Sequence, residues 1–333
     1  MRRFLVRLTA FVMPAIAAAV WPVPSRALDQ MLFQANWLIQ GENAYMVAGI
    51  KNGFYEAEGI DLSITRGFGS GDTVKKVVTG AATVGTADVG VLMLARVREA
   101  LPVKCISAEY TYSPQGVWTL KASGIDTITK LAGKTFGITV GNSLSVYFPL
   151  LAKANELDPK SVTFVNMEAS ALLPTLLAGK IDAMPGFDTN FDLRNADAIA
   201  QGKPMRDMAM ADNGVRVYGE CELVAETTIS QHPDLLKRYL RANRKSLEWS
   251  RANPEETARI IAAAYPELKE HEVLGNHEAY MKYVFNDTSA RIGVGGFDLQ
   301  QLQTTFDAVK AAQTITSSAD VASFIDTKFL PQP

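Results

Sequence analysis

The sequence predicts an α/β protein of two lobes with a helical C-terminal tail, and three observations carry that prediction. Strand and helix signals alternate from Met31 onward, the alternation restarts near Val117, and from about Pro233 nearly everything is helical. With 333 residues, 47% of them hydrophobic and 20% charged, the chain can bury one large core or two smaller ones, and two are expected. The expected division is residues 28–116 with 215–333 as the first lobe and its tail, and 117–214 as the second.

The first residues stand apart from either lobe. Arg2, Arg3 and Arg7 precede an apolar run from Leu8 to Val20, and Ser25-Arg26-Ala27 supplies the small residues of an export-signal cleavage site. Cleavage is expected after Ala27, leaving 306 residues in the periplasm. A retained membrane span is the competing reading, weakened by a short run and by Pro14, Pro22 and Pro24. With no cysteine near the cleavage site a lipoprotein anchor is excluded, and Arg-Arg-Phe-Leu hints at a twin-arginine signal. Removing Arg2, Arg3, Arg7 and Arg26 takes the formal net charge from −2 to −6. Nucleic acid is a poor partner for such a chain, because phosphate contacts need a basic face. Cys105 and Cys221 both reach an oxidising compartment and pair if the fold brings them together. Cys105 lies in a predicted buried strand, which favours a small buried thiol.

In order, the chain reads as strand Leu32–Trp37, helix Ala44–Asn52 closed by Gly53, and strand Ile60–Thr65. The stretch Arg66–Leu94 is then a glycine-rich turn, a short helix, a strand and the start of another helix. Val74, Val77, Val78 and Ala81 give that short helix one apolar stripe, with Ser70 and Asp72 where caps belong. A helix from Asp88 to Ala100 and a strand from Val103 to Ala108 follow, the latter delivering Glu109, Tyr110 and Tyr112 into a loop. The second lobe repeats the pattern with strands at Val117–Lys121, Thr135–Thr139, Val162–Asn166 and Ile181–Met184. Between them lie short helix Thr127–Leu131, a longer helix ending at Asn155, and Ala171–Ala178. Glu220–Ala225 returns towards the first lobe, and the tail reads as helices Pro233–Arg251, Pro254–Ala264, Glu270–Val284, Asp298–Ala312 and Val321–Phe324.

In parallel α/β units, ligands gather at the carboxyl ends of strands, where the next helix exposes its first amides. That rule nominates Trp37, Asn43 and Tyr45 after the first strand, Ser70, Gly71 and Asp72 in the glycine-rich turn, then Asp88 and Tyr110. From the second lobe it nominates Asn142, Ser143 and Tyr147, then Glu168, Phe187 and Asp188. Each has a plainer alternative: the glycines serve a tight turn, Trp37 sits in the core, Asp88 caps its helix, and the carboxylates are solvated loop positions. Together they bear on ligand charge. Sulfonate, nitrate or phosphate carriers need cations or an unbroken set of donors. The strand ends here offer Asp72, Asp88, Glu109, Glu168 and Asp188, with Arg66 the main exception. An uncharged or amine-bearing nitrogen heterocycle, stacked on Trp37 or Tyr147, fits that inventory better.

The order of motifs also resembles a known family. Asn43-Ala44-Tyr45 with Gly49 through Gly59-Ile60-Asp61, and VVTGAATVGTAD over 77–88, are similar to segments of the periplasmic solute-binding proteins that serve alkanesulfonate, nitrate and thiamine-pyrimidine carriers. So is SGIDTITKLAGKTFG from Ser123, with Thr129-Lys130 in place of the usual aspartate, and so is His232-Pro233 to Pro254 with Trp249 between. The branch most resembled is that of the pyrimidine-precursor carriers, which share a fold with a yeast pyrimidine synthase. The resemblance implies a type II periplasmic-binding-protein fold, a hinge, a ligand clamped in the cleft, and a monomer that hands its ligand to an ABC transporter permease and ATPase, with no cofactor.

An enzyme of that fold is the main rival. His232, His271 and His277 all fall in the tail, away from strand ends, and are expected to be lone surface residues. The synthase-type cysteine cluster is missing. A sensor module reporting to a receptor kinase is a third class, and gene neighbourhood would separate it from transport.

Overall fold

In the computed structural model, which describes residues 27–332, β1 (Asp29–Gln34) pairs in parallel with β2 (Ile60–Thr65) along its whole length. Of the expected leader, residues 1–27, all but Ala27 lie outside the described residues. Between these strands runs α1 (Ala44–Lys51), followed after β2 by α2 (Ser70–Val78), β3 (Val84–Asp88), α3 (Val89–Glu99) and β4 (Val103–Ala108). The chain then crosses to a second sheet made of β5 (Gln115–Leu120), β6 (Thr135–Ile138), β7 (Thr163–Asn166), β8 (Ala183–Phe187) and β9 (Met205–Ala209). Its helices are α4 (Leu144–Ala154), α5 (Ala169–Leu177) and α6 (Asp188–Ala200). It returns as β10 (Glu220–Ala225), after which come α7 (Glu226–Gln231), α8 (Pro233–Ala252), α9 (Pro254–Ala264), α10 (Glu270–Val284), α11 (Asp287–Ile292) and α12 (Leu299–Gln313).

The strand orders are β2-β1-β3-β10-β4 and β7-β6-β8-β5-β9. In each sheet the fourth strand is the one that arrives from the other half of the chain, and it runs antiparallel to both neighbours. The protein therefore has the two-lobe α/β architecture of a type II periplasmic-binding protein, with C-terminal helices on the first lobe. Proline in the first turn starts α8 and α9, where its missing N–H costs nothing. Both helices pack on α1, and α12 packs on α3 and on α4 of the other lobe.

Several elements differ from the sequence reading. β1 ends three residues early, because Asn36 and Trp37 use their carbonyls to hold Gly69 and Gly67 rather than to extend the ladder. The start of α2 is Ser70 itself, with Gly69 at the cap position, so neither Ser70 nor Asp72 caps it, and Ala81 lies beyond its end. Helices α6, α7 and α11 and strand β9 add to the expected set. Cys105 and Cys221 are joined in a disulfide, 116 residues apart, because β10 inserts beside β4 and brings their Cα atoms within 5.7 Å. The free buried thiol is thereby corrected. His277 is buried rather than on the surface, its ring nitrogens facing Gly41 O at 3.2 Å and Ser250 O at 3.4 Å; burial depresses its pKa. Among the described residues no helix is long and apolar enough to cross a membrane.

Candidate functional site

A cavity of about 370 Å³ lies between the two sheets, lined from both. The first lobe contributes Asn36, Trp37, Gln40 and Glu42 from the loop after β1, Gly69 and Ser70 at the start of α2, and Glu220 at the start of β10. The second contributes Trp118 from β5, Asn142 and Ser143 before α4, the first turns of α5, Met184 to Phe187 of β8, and Asn190 and Arg194 of α6. Trp37 packs against the second lobe's apolar cluster around Trp118 and Leu172, while Phe187 packs in return on the first lobe's cluster, edge-on to Tyr110.

The lobes meet around this cavity. Gly71 N donates to Gly141 O at 3.2 Å, and a β-carbon on Gly69, whose φ is +118°, would stand 2.9 Å from the same oxygen. Glycine is required where two loop backbones approach this closely. At another edge Arg194 pairs with Glu272 of α10 at 3.0 Å, Asn276 Nδ2 donates to Thr189 O at 3.2 Å, and Tyr283 donates its hydroxyl to Asp188. Beneath the floor, Asp88 is fully buried and accepts from Gly90 N and Val91 N of α3, from Tyr147 Oη at 2.8 Å, and from Gln115 Nε2 at 2.9 Å. Burial pushes its carboxyl up to about 7, against the pull of those four donors.

Four glutamates crowd the first lobe's side. Glu220 is 2% exposed and accepts from Asn36 Nδ2; Glu42 accepts from Tyr110 Oη at 3.1 Å and Gln40 Nε2 at 3.2 Å. Behind them Glu109 accepts from Thr86 Oγ1 at 2.6 Å, and Glu222 accepts from Tyr45 Oη at 3.3 Å and from Asn243 Nδ2. Burial raises the pKa of all four, Glu222 to about 7, and for Glu220 the charges of Glu42, Glu109 and Asp88 add to the rise. Among the described residues no ion pair reaches any of them. The arrangement can accept hydrogen bonds and positive charge; it offers no cation to an anion on this wall. Nor do three His, Cys, Asp or Glu side chains among the described residues come together in a way that could hold a metal ion.

Of the residues nominated from sequence, Trp37, Ser70, Asn142, Ser143 and Phe187 line the cavity. The others sit elsewhere. Tyr45 stacks on Tyr280 with ring centroids 5.8 Å apart, because α1 is buried on nearly all sides. Tyr110 is fully buried behind Glu42, and Tyr147 is spent on Asp88. The side chain of Asn43 accepts from Gln40 N, which ties the loop, and Gly71 belongs to the backbone contact between lobes. Asp72 pairs with Lys76 at 2.8 Å, Glu168 is exposed, and Asp188 is held by Tyr283. Arg66, the cation noted at a strand end, lies over the Phe68 ring at 4.3 Å. Asn36, Trp118, Asn190, Arg194 and Glu220 are lining residues that the sequence reading did not nominate. A signal existed for Glu220: two glutamates alternate within the otherwise apolar strand ECELVA.

Comparison with known proteins narrows the family. The chain is 26% identical to the riboflavin-binding protein RibY of Chloroflexus aurantiacus over 96% of this chain and 91% of that protein. It is 24% identical to the 4-amino-5-hydroxymethyl-2-methylpyrimidine phosphate synthase of Legionella pneumophila, over 70% of this chain and 73% of that one. With the formylaminopyrimidine-binding protein of Halalkalibacterium halodurans it shares 23% identity over 74% and 75% of the two chains. Among solved structures, the alkanesulfonate-binding protein SsuA of Xanthomonas axonopodis pv. citri, bound to MOPS, has the same fold, with a TM-score of 0.66 at 14% identity over 92% of this chain and all of that one (100%). The model of the NMT1/THI5 like family matches residues 40–257, well over half of the sequence, and the chain belongs to that family.

Proposed function

We propose that this chain is the extracytoplasmic substrate-binding component of an ABC importer, and that it captures a flat nitrogen heterocycle of the kind represented by the pyrimidine precursors of thiamine. One observation carries the reading: Glu42 and Glu220 stand on the wall of a cavity that also holds Trp37, Trp118 and Phe187. Indole and phenyl faces suit a planar ring, and buried carboxylates suit its ring N–H and amino donors. On this reading the lobes divide at residues 28–116 with 215–333 and at 117–214, the two crossings between them act as the hinge, and the leader is cleaved after Ala27. On this reading the protein is a periplasmic monomer that meets a permease and its ATPase only when closed.

A larger fused ring is the second reading, supported by the cavity's volume and by the name of the RibY relative. Sulfonate, taurine or nitrate is less well served, because Arg194 is already paired with Glu272 and the facing wall is acidic. Against an enzyme stand the absence of His and Cys from the described lining and the engagement of both cysteines in a disulfide.

The test is a thermal-shift screen of the mature protein against 4-amino-5-hydroxymethyl-2-methylpyrimidine, riboflavin, taurine and nitrate, followed by tryptophan fluorescence. A heterocycle should raise the melting temperature and quench emission, and Trp37→Phe should remove a large part of the quench. A shift with taurine or nitrate and none with either heterocycle sinks the proposal.

A further inference from the structure

We propose that the cavity selects its heterocycle as a cation, a ring carrying a proton or a fixed positive charge, with Glu220 and Glu42 as the residues that read the charge. The inference rests on the heterocycle reading and sharpens it from ring shape to ring charge. Hydrogen-bond acceptance alone needs one carbonyl or one carboxylate. The first lobe instead places Glu42 and Glu220 on the lining and Glu109 and Glu222 behind them, Glu109 half-buried and the other three buried, with no ion pair to any of the four among the described residues.

What surrounds the group is equally one-sided. Their hydrogen-bond partners are hydroxyls and amides: Thr86, Tyr45, Tyr110, Gln40, Asn36 and Asn243. These donate to carboxylates but cannot neutralise them. Asp88, which pairs with Glu220 across the β3–β10 ladder, adds another carboxylate. Arg194 is the cation on the lining, and it faces Glu272 of α10. With no protein cation beside them, these carboxyls are neutralised by bound protons or by a cationic ligand, and a cation entering the cavity takes the protons' place. A ring with an amino group beside a protonated ring nitrogen supplies such a charge together with two parallel N–H donors, the geometry a carboxylate accepts best.

The experiment compares two probes of one size, 4-amino-5-hydroxymethyl-2-methylpyrimidine and its 4-oxo analogue, by calorimetry on the full mature protein. The amino compound accepts a ring proton readily and the oxo compound does not. Wild-type protein should prefer the amino probe by at least about tenfold, the worth of one charge-assisted hydrogen bond. Glu220→Gln should bring the ratio close to one, and Glu42→Gln, measured beside it, should reduce it too and carries the test if the first variant does not fold. Equal binding of both probes to the wild type overturns charge selection while leaving heterocycle capture in place. So does binding of riboflavin, a neutral ring, with no response to the amino probe. An unchanged ratio in both variants removes these glutamates from the role. Binding of taurine with no heterocycle bound overturns both readings together.

Discussion

The pKa of Glu222 makes an unusual prediction about stability. This carboxyl is 1% exposed, does not line the cavity, and is raised by burial from 4.5 to about 7. Between those values the folded protein keeps a proton that the unfolded chain has lost. The stability attached to the protonated form is therefore complete below pH 4.5 and is lost as pH rises through 7. At about 1.4 kcal/mol for each pH step, the loss reaches at most about 3 kcal/mol by pH 8. Asp88, raised to about 7 by the same cause, acts in the same direction, as do Glu42, Glu109 and Glu220. Ligand-free protein should accordingly be more stable at pH 5.5 than at pH 8, the reverse of ordinary acid weakening. Urea denaturation at a series of pH values reads the slope directly. Glu222→Gln tests its origin, because a glutamine Oε1 can still accept from Tyr45 and Asn243, while the charge is gone. The variant should already exceed the wild type by about 1 kcal/mol at pH 5.5, and by about 3 kcal/mol at pH 8. A wild-type stability that climbs steadily from pH 5.5 to 8, or a variant that loses stability equally at both, refutes the reasoning.

Two other outcomes follow from particular contacts. Replacing Cys105 and Cys221 together by serine opens a loop of 116 residues and should cost about 3–5 kcal/mol, seen as a melting temperature several degrees lower; free thiols titrated in the unfolded wild type would contradict the bond. Gly90→Ala puts a β-carbon 2.1 Å from Tyr147 Oη and so breaks the Tyr147 to Asp88 tie between the lobes. It should cost about 1–3 kcal/mol, and adding Tyr147→Phe should recover part of that loss; additive losses in the double variant would show that the two residues do not meet.

How much of this was legible in the sequence depends on which force fixed each feature. β2, β4 and β10 fall on the expected residues because short apolar runs between turn signals leave one choice of strand, and the tail helices start where proline follows His232 and Asn253. Helix α6 escaped because DTNFDLRNADAIA is rich in Asn and Asp, weak helix formers that only tertiary packing against α10 overrides. The disulfide escaped because Cys105 and Cys221 meet only through the order of strands, which local pattern does not encode.

The site shows the limit of the strand-end rule most clearly. Looking at carboxyl ends led to the lining residues Trp37, Ser70, Asn142, Ser143 and Phe187, yet it could not tell which side of the following helix turns inward, and so it also took in Tyr45 and Tyr147. It missed Glu220 for a sharper reason. β10 runs against β3 and β4, so its first residue, not its last, lies at the edge where its neighbours end, and Glu220 sits opposite Asp88. β5 repeats the geometry in the second sheet, where its first residue, Gln115, lies opposite Phe187 and donates to Asp88. Both returning strands thus open with a buried polar side chain at the cavity or directly beneath it. In a fold whose sheets each borrow an antiparallel strand from the other half, the place to look for function includes the amino end of that borrowed strand.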